Sequence, residues 1–321
     1  MLTSEIIRRV REIQVRTGRQ VADVLAGEYV SVFKGRGIEF DEVRPYVPGD
    51  DVRSIDWNVT ARMGEPFVKR YVEERQLTLM LMADVSASQD FGSGDRSKRE
   101  ATAELCALLA FSATRNDDKV GLALFHSELE QFIPPRKGQK HALRVVREVL
   151  AHGQVDEFAA ASDPPGLLSR MRSLFLQGRS ARAPRESTDI SHAVEFFMQV
   201  TKRRTICFVV SDFLDENFEK AMVVANRKHD VIAVLVTDPN ELEMPDVGLV
   251  ALRDAESGET RLVDTSSRAL RAEIGEEASA RVRELARRFA AVGIDFIHVD
   301  AAGDVIDPLV RFFKMRERRG H

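Results

Sequence analysis

The sequence predicts an α/β fold, a doubly wound and mostly parallel sheet with helices on both faces and an N-terminal arm. Two observations predict it. Short apolar runs alternate with helix-length stretches: "LTLMLMAD" (77–84), "KVGLALF" (119–125), "TICFVVSD" (205–212), "VIAVLVTD" (231–238) and "IDFIHVD" (294–300). Runs that are apolar at successive positions belong to strands buried on both faces, as in a parallel sheet covered by helices. The second observation is where the polar atoms fall. Among the runs that stop on oxygen-bearing side chains are those ending at Asp84 and at Ser211–Asp212. A doubly wound sheet binds ligands outside the carboxyl ends of its strands, where the strand order reverses.

The elements come in order. Residues 1–28 carry Ile6, Val10, Ile13, Val21 and Val24 at helical steps, an amphipathic helix or helix pair interrupted near Gly18. Residues 29–75 are turn-rich and charged, hold the single Trp, and end in extended pieces such as "PFVKRYV". Ser97–Arg115 reads as a helix opened by a capping box, Ser97-x-x-Glu100. "LEQFIPP" (129–135) is an edge strand closed by two prolines, and 138–151 is a helix. Thr188–Arg203 and "NFEKAMVVANRKHD" (217–230) are helices. A hairpin around Gly258 joins "GLVALRD" to "TRLVD", and a charged helix at 266–291 precedes the last strand and a closing helix with a basic tail. The stretch 152–187 is an Arg-rich insertion with Pro164–Pro165, a short helix around "GLLSRMRSLF", and Arg170, Arg172, Arg179, Arg182 and Arg185. It reads as a solvated surface, with an arm docking on an acidic partner as the alternative. The expected divisions are an arm at 1–75 packed on a main domain at 76–310, with a basic tail at 311–321.

Bulk properties exclude several classes. A net charge of −4 over 321 residues argues against a nucleic-acid binder. Cys106 and Cys207 allow neither a disulfide framework nor a zinc site and read as small core residues. "MLTSEIIRRVREIQ" lacks the apolar stretch of a signal peptide, and no window approaches the ~20 apolar residues of a membrane span. A soluble, cytoplasmic protein is expected.

One constellation carries chemistry. Asp84, Ser86 and Ser88 alternate past a strand end, and along an extended chain they point the same way. Thr188–Asp189 lies at a helix start, and Ser211–Asp212 ends another strand. Only hard oxygen donors are gathered, a set that suits Mg²⁺ or Mn²⁺. The plainer alternative has Thr188 and Asp189 capping a helix and the serines satisfying turn amides. Other motifs fail. Gly92-x-Gly94 lacks the third glycine of a dinucleotide fingerprint, at Ser97, and there is neither a P-loop nor a nucleophile elbow. The seven histidines, among them His126, His192 and His298, have no metal-ligand spacing and read as surface or boundary residues. A phosphoryl-accepting aspartate would need a carboxylate or lysine in step, where serines stand, so an enzyme is not expected.

The Asp84-x-Ser86-x-Ser88 pattern, with Thr188 and Asp212, resembles the metal-ion-dependent adhesion site of von Willebrand factor A domains, whose sheet is Rossmann-type. The resemblance implies that Asp84, Ser86, Ser88, Thr188 and Asp212 surround one divalent cation and that a partner's carboxylate completes its shell. Asp189, next to Thr188, either joins that shell or serves only as a cap. The run "SVFKGRGIEFDEVRPYVPGDDVRSIDWNVTARMGEPFVKRYVEER" (31–75), with "DKVGLALF" and "FIPPRKG", resembles a bacterial family named only as domain of unknown function 58. That resemblance implies a MoxR-type AAA+ ATPase as partner. Many members carry transmembrane helices near the N-terminus, and this chain resembles the soluble branch. Within the signature, Asp50, Asp51, Arg53, Asp56 and Trp57 read as a clasp, a packed Trp57 and paired charges holding the arm to the sheet domain. A second functional surface is the alternative.

The function expected is thus a divalent-metal-dependent protein-binding adaptor that works with an AAA+ ATPase on an unidentified protein client. The alternative is a Mg²⁺-dependent hydrolase using Asp84 or Asp212, which a lysine or third carboxylate beside the metal would favour.

Overall fold

The computed structural model describes residues 8, 11–13, 39–72, 77–152, 188–215, 217–253 and 260–320. Strands β1 (Glu39–Pro45) and β2 (Phe67–Val72) pair antiparallel around helix α1 (Trp57–Met63). Then come β3 (Thr78–Asp84), α2 (Lys98–Arg115), β4 (Lys119–Phe125), β5 (Leu129–Arg136) and α3 (Gln139–Ala151). After them stand α4 (Ile190–Val200), β6 (Ile206–Ser211), α5 (Phe218–Lys228) and β7 (Asp230–Thr237). The rest comprises β8 (Leu249–Arg253), β9 (Thr260–Asp264), α6 (Arg268–Ala291), β10 (Asp295–Asp300) and α7 (Ile306–Gly320).

Six strands form one sheet in the order β10-β7-β6-β3-β4-β5, parallel except for β5. This is the expected α/β class. Building starts centrally at β3, extends to β4 and β5 on one side, then crosses to β6, β7 and β10 on the other. The order therefore reverses between β3 and β6, and their carboxyl ends flank the crevice. β5 lies at the edge, where Pro134 and Pro135, lacking N–H donors, break no interior ladder.

Side chains alternate cleanly between two cores. Leu79, Leu81 and Ala83 of β3 join Leu122, Phe208 and Val234 beneath α2, α3 and α7. Met80 and Met82 join Ala123, Cys207, Val209 and Ala233 beneath α4, α5 and α6. Helix α2 is buried almost all round, from Lys98 to Ala113, which explains its run of Ala, Cys and Leu without a polar stripe. Its capping box is present: Glu100 N donates to Ser97 Oγ, and Ser97 N to Glu100 Oε2. Cys106 and Cys207 are free and buried, which pushes both thiols up, Cys106 to about 12.

Several expectations meet a different structure. The tail expected at 311–321 is helical through Gly320: Phe312 and Phe313 of α7 are buried, and Arg316 pairs with Asp230 and Asp295. His126 and His229 are buried and not surface residues. The expected pairing of "GLVALRD" with "TRLVD" is present, β8 and β9 being antiparallel, with the connection at 254–259 outside the described residues. The insertion after His152 and nearly all of 1–28 lie outside them too. Among the described residues no helix is long and apolar enough to cross a membrane.

The clasp is the clearest correction. Trp57 is 69% exposed, and Arg53 is exposed as well. The charges are used locally: Arg44 holds Asp50 through two bonds (2.6 and 2.7 Å), and Lys69 pairs with Asp56 (3.4 Å). Asp56 also accepts from Asn58 N and Val59 N as the cap of α1, which makes Trp57 the first helical residue and leaves its ring in solvent. Trp57→Ala should therefore change stability by no more than about 0.5 kcal/mol, the usual range for exposed positions. A denaturant melt showing a loss of several kcal/mol would restore the packed anchor.

Candidate functional site

Strand β3 stops at Asp84 and gives way to a turn. Ser86 precedes a single 3-10 turn, Ala87–Asp90, in which Gln89 N donates to Ser86 O (3.1 Å). Strand alternation alone would align Asp84, Ser86 and Ser88; the turn converges the two hydroxyls instead, with Ser86 Oγ and Ser88 Oγ 3.0 Å apart. The Asp84 carboxyl is buried. Oδ1 accepts from Ser86 N (2.8 Å) and Oδ2 from Ser211 Oγ (2.6 Å), tying the end of β3 to the end of β6. Burial, and then the neighbouring Asp212 carboxylate, push Asp84 up to about 7.

The start of α4 is stitched to the same edge. Asp189 N donates to His126 O (2.8 Å), just beyond β4, and Val85 N donates to Phe125 O (2.8 Å). Asp189 is exposed and caps α4, accepting from His192 N (2.8 Å). Thr188 Oγ1 is buried and has no hydrogen-bond partner among the described residues.

Asp212 comes directly after β6 and is 1% exposed. Its Oδ2 accepts from Lys98 Nζ (3.2 Å), whereas Oδ1 is buried with no partner among the described residues. Phe213 beyond it holds a positive φ of 52°, a conformation unusual for a bulky side chain. Arg281 of α6 donates to the Asp212 carbonyl (3.1 Å), and the Phe213 ring packs on Phe218 and Phe289.

Sequence reasoning missed Lys98, Glu241 and Arg281. Lys98 is also 1% exposed, and its ammonium lies between Asp212 and Glu241 Oε1 (2.6 Å). Glu241 is fixed by its second oxygen, which accepts from Asp238 N (3.0 Å) at the start of the short helix Pro239–Leu242. Burial lowers the Lys98 pKa, but the two carboxylates overcome it and hold the group above the ordinary lysine value, so it is charged. A signal was present: Lys98 is the first residue of α2, where the helix dipole disfavours a cation, so it needs carboxylates from elsewhere.

Does this set fit a hard cation? Among the described residues no three His, Cys, Asp or Glu groups cluster as metal ligands, so any such site depends on hydroxyls. Thr188 Oγ1 and Asp212 Oδ1 are buried oxygens lacking partners, an arrangement that normally demands explanation. With Asp84 and the paired Ser86 and Ser88 hydroxyls, they make an all-oxygen donor set that fits Mg²⁺ or Mn²⁺.

Residues 42–284 match the model of the family described as "Protein of unknown function DUF58". The chain belongs to the DUF58 family. This DUF58 protein is 29% identical over 310 residues to the uncharacterized protein Rv1480 of Mycobacterium tuberculosis, covering 96% of this chain and 89% of that one. It is 29% identical over 111 residues to the uncharacterized protein YeaD of Bacillus subtilis, 34% of this chain and 26% of that one. Among solved structures it is similar to the conserved hypothetical protein BatB of Bacteroides thetaiotaomicron, with a TM-score of 0.43 and 14% identity over 75% of this chain and 99% of that chain.

Proposed function

We propose that this DUF58 protein is a divalent-metal-dependent protein-binding adaptor, not an enzyme, acting in the cytoplasm with a MoxR-type AAA+ ATPase on a protein client. The observation that carries the metal reading is the pair of partnerless buried oxygens, Thr188 Oγ1 and Asp212 Oδ1, on the same sheet edge as Asp84. Asp84, Ser86, Ser88, Thr188 and Asp212 would hold the cation, which supplies a positive centre able to accept a partner's carboxylate. Hydroxyl ligands add no negative charge, so that centre stays attractive to an acidic side chain. The ATPase and client rest on the family resemblance of the signature segment.

One observation favours the hydrolase alternative: Lys98 and Glu241 beside Asp212. The lysine is engaged by both carboxylates. A buried, charged ammonium bonded to two carboxylates has no lone pair to act as a base. Mg²⁺-dependent hydrolysis of p-nitrophenyl phosphate that vanishes in Asp84→Ala would put the hydrolase first.

Titration calorimetry with Mg²⁺ and Mn²⁺ tests the adaptor reading. Wild type should show one site, and Asp84→Ala none. Pull-down of the ATPase should fall in chelator and in Asp84→Ala alike, with circular dichroism as the control for folding. Equal metal binding by both proteins would remove the assignment.

A further inference from the structure

The oddest group at this edge is a lysine. A cation has been placed at a helix N-terminus, fully buried, 3.2 Å from an oxygen of Asp212. The loop carrying it is also tied to the loop after β7, because Ser93 N donates to Asp238 Oδ2 (2.8 Å) and Lys98 bonds Glu241. The ammonium is thus fixed from two sides and cannot swing away without leaving the buried Asp212 carboxylate unpaired.

We propose that Lys98 sets the charge of the metal centre: it engages one oxygen of Asp212, leaves Oδ1 for the cation, and holds a positive charge nearby that loosens the cation and sharpens its attraction for an outside carboxylate. This rests on the metal reading above. A lysine that merely positioned Asp212 would have the opposite effect on affinity, since its loss would disorder a ligand. An electrostatic lysine repels the ion it helps to seat, in proportion to the ion's charge. Glu241 tempers that repulsion by sharing the ammonium.

The test compares Ca²⁺ with Tb³⁺, ions of similar size and different charge, by calorimetry on wild type, Lys98→Met and Glu241→Gln, each checked by circular dichroism. Lys98→Met should bind Ca²⁺ about tenfold more tightly or better, and gain more for Tb³⁺. Glu241→Gln should bind both more weakly, Tb³⁺ by the larger factor. Weaker or unchanged binding in Lys98→Met, with wild type still binding, would overturn the lysine's role and leave the metal site standing. If Lys98→Met does not fold, Glu241→Gln decides: a loss that is equal for both ions, or no loss, overturns the proposal. A wild type that binds neither of these ions, nor Mg²⁺ or Mn²⁺ in the same experiment, removes the metal reading and this inference together. One that binds Mg²⁺ or Mn²⁺ alone keeps the metal site, and the Lys98→Met comparison is then read with Mn²⁺, where weaker or unchanged binding overturns the proposal.

Discussion

Asp212→Ala is expected to destabilise the metal-free protein by about 3 kcal/mol, the lower end of the range for breaking a buried ion pair. The cost arises because Lys98, 1% exposed, stays charged after its partner is gone. The lower end applies because Glu241 still bonds the ammonium at 2.6 Å. The double variant Asp212→Ala/Lys98→Met should recover most of the loss, since both charges are then absent and an apolar chain fills the lysine's volume. Chemical denaturation in chelator measures wild type, the two single variants and the double variant. If the two substitutions add, Lys98 and Asp212 do not depend on each other, and the charge account of the site fails.

How much of the fold and the site was legible in the sequence depends on the range of each interaction. The strands were legible because burial on both faces leaves a continuous apolar text, as in Leu79 to Ala83. The start of α2 was legible because a capping box is a contact between residues three apart. The edge position of β5 was legible because prolines are excluded from the interior of a sheet. The site was legible to the extent that strand ends carry it: Asp84 and Ser211 do meet, with Asp212 beside them. Interactions made only by tertiary structure escaped. Lys98 and Glu241 are 143 residues apart, and no local pattern marks their meeting. Trp57 was misjudged for a different reason. Aromatic and charged residues in one short run suggest a packed anchor, but the cap at Asp56 set the start of α1 and left the ring in solvent.

The last expected result concerns pH. In chelator, wild type should lose stability as pH rises from about 4 to about 7, and lose no more above that from this group. Asp84 is the cause: its folded pKa, raised to about 7 by burial and by Asp212, lies above the ordinary 3.8 of the unfolded chain. Between those values the fold binds the proton and the unfolded chain has released it, so the contribution is complete below pH 4 and gone above 7. One pKa unit corresponds to about 1.4 kcal/mol, which makes the upper limit about 4 kcal/mol. Asp84→Asn keeps a neutral group of the same shape, so its stability should be flat across the window and exceed that of wild type at pH 8. Metal reverses the order. A cation needs the ionised carboxylate, so affinity should rise toward tenfold per pH unit below 7 and level off above, with a proton released on binding. Adding Mn²⁺ at pH 8 should then raise the melting temperature of wild type and leave Asp84→Asn unchanged. Parallel pH profiles for the two proteins in chelator would mean that Asp84 is not the group that titrates, and the proton–cation competition would have to be given up.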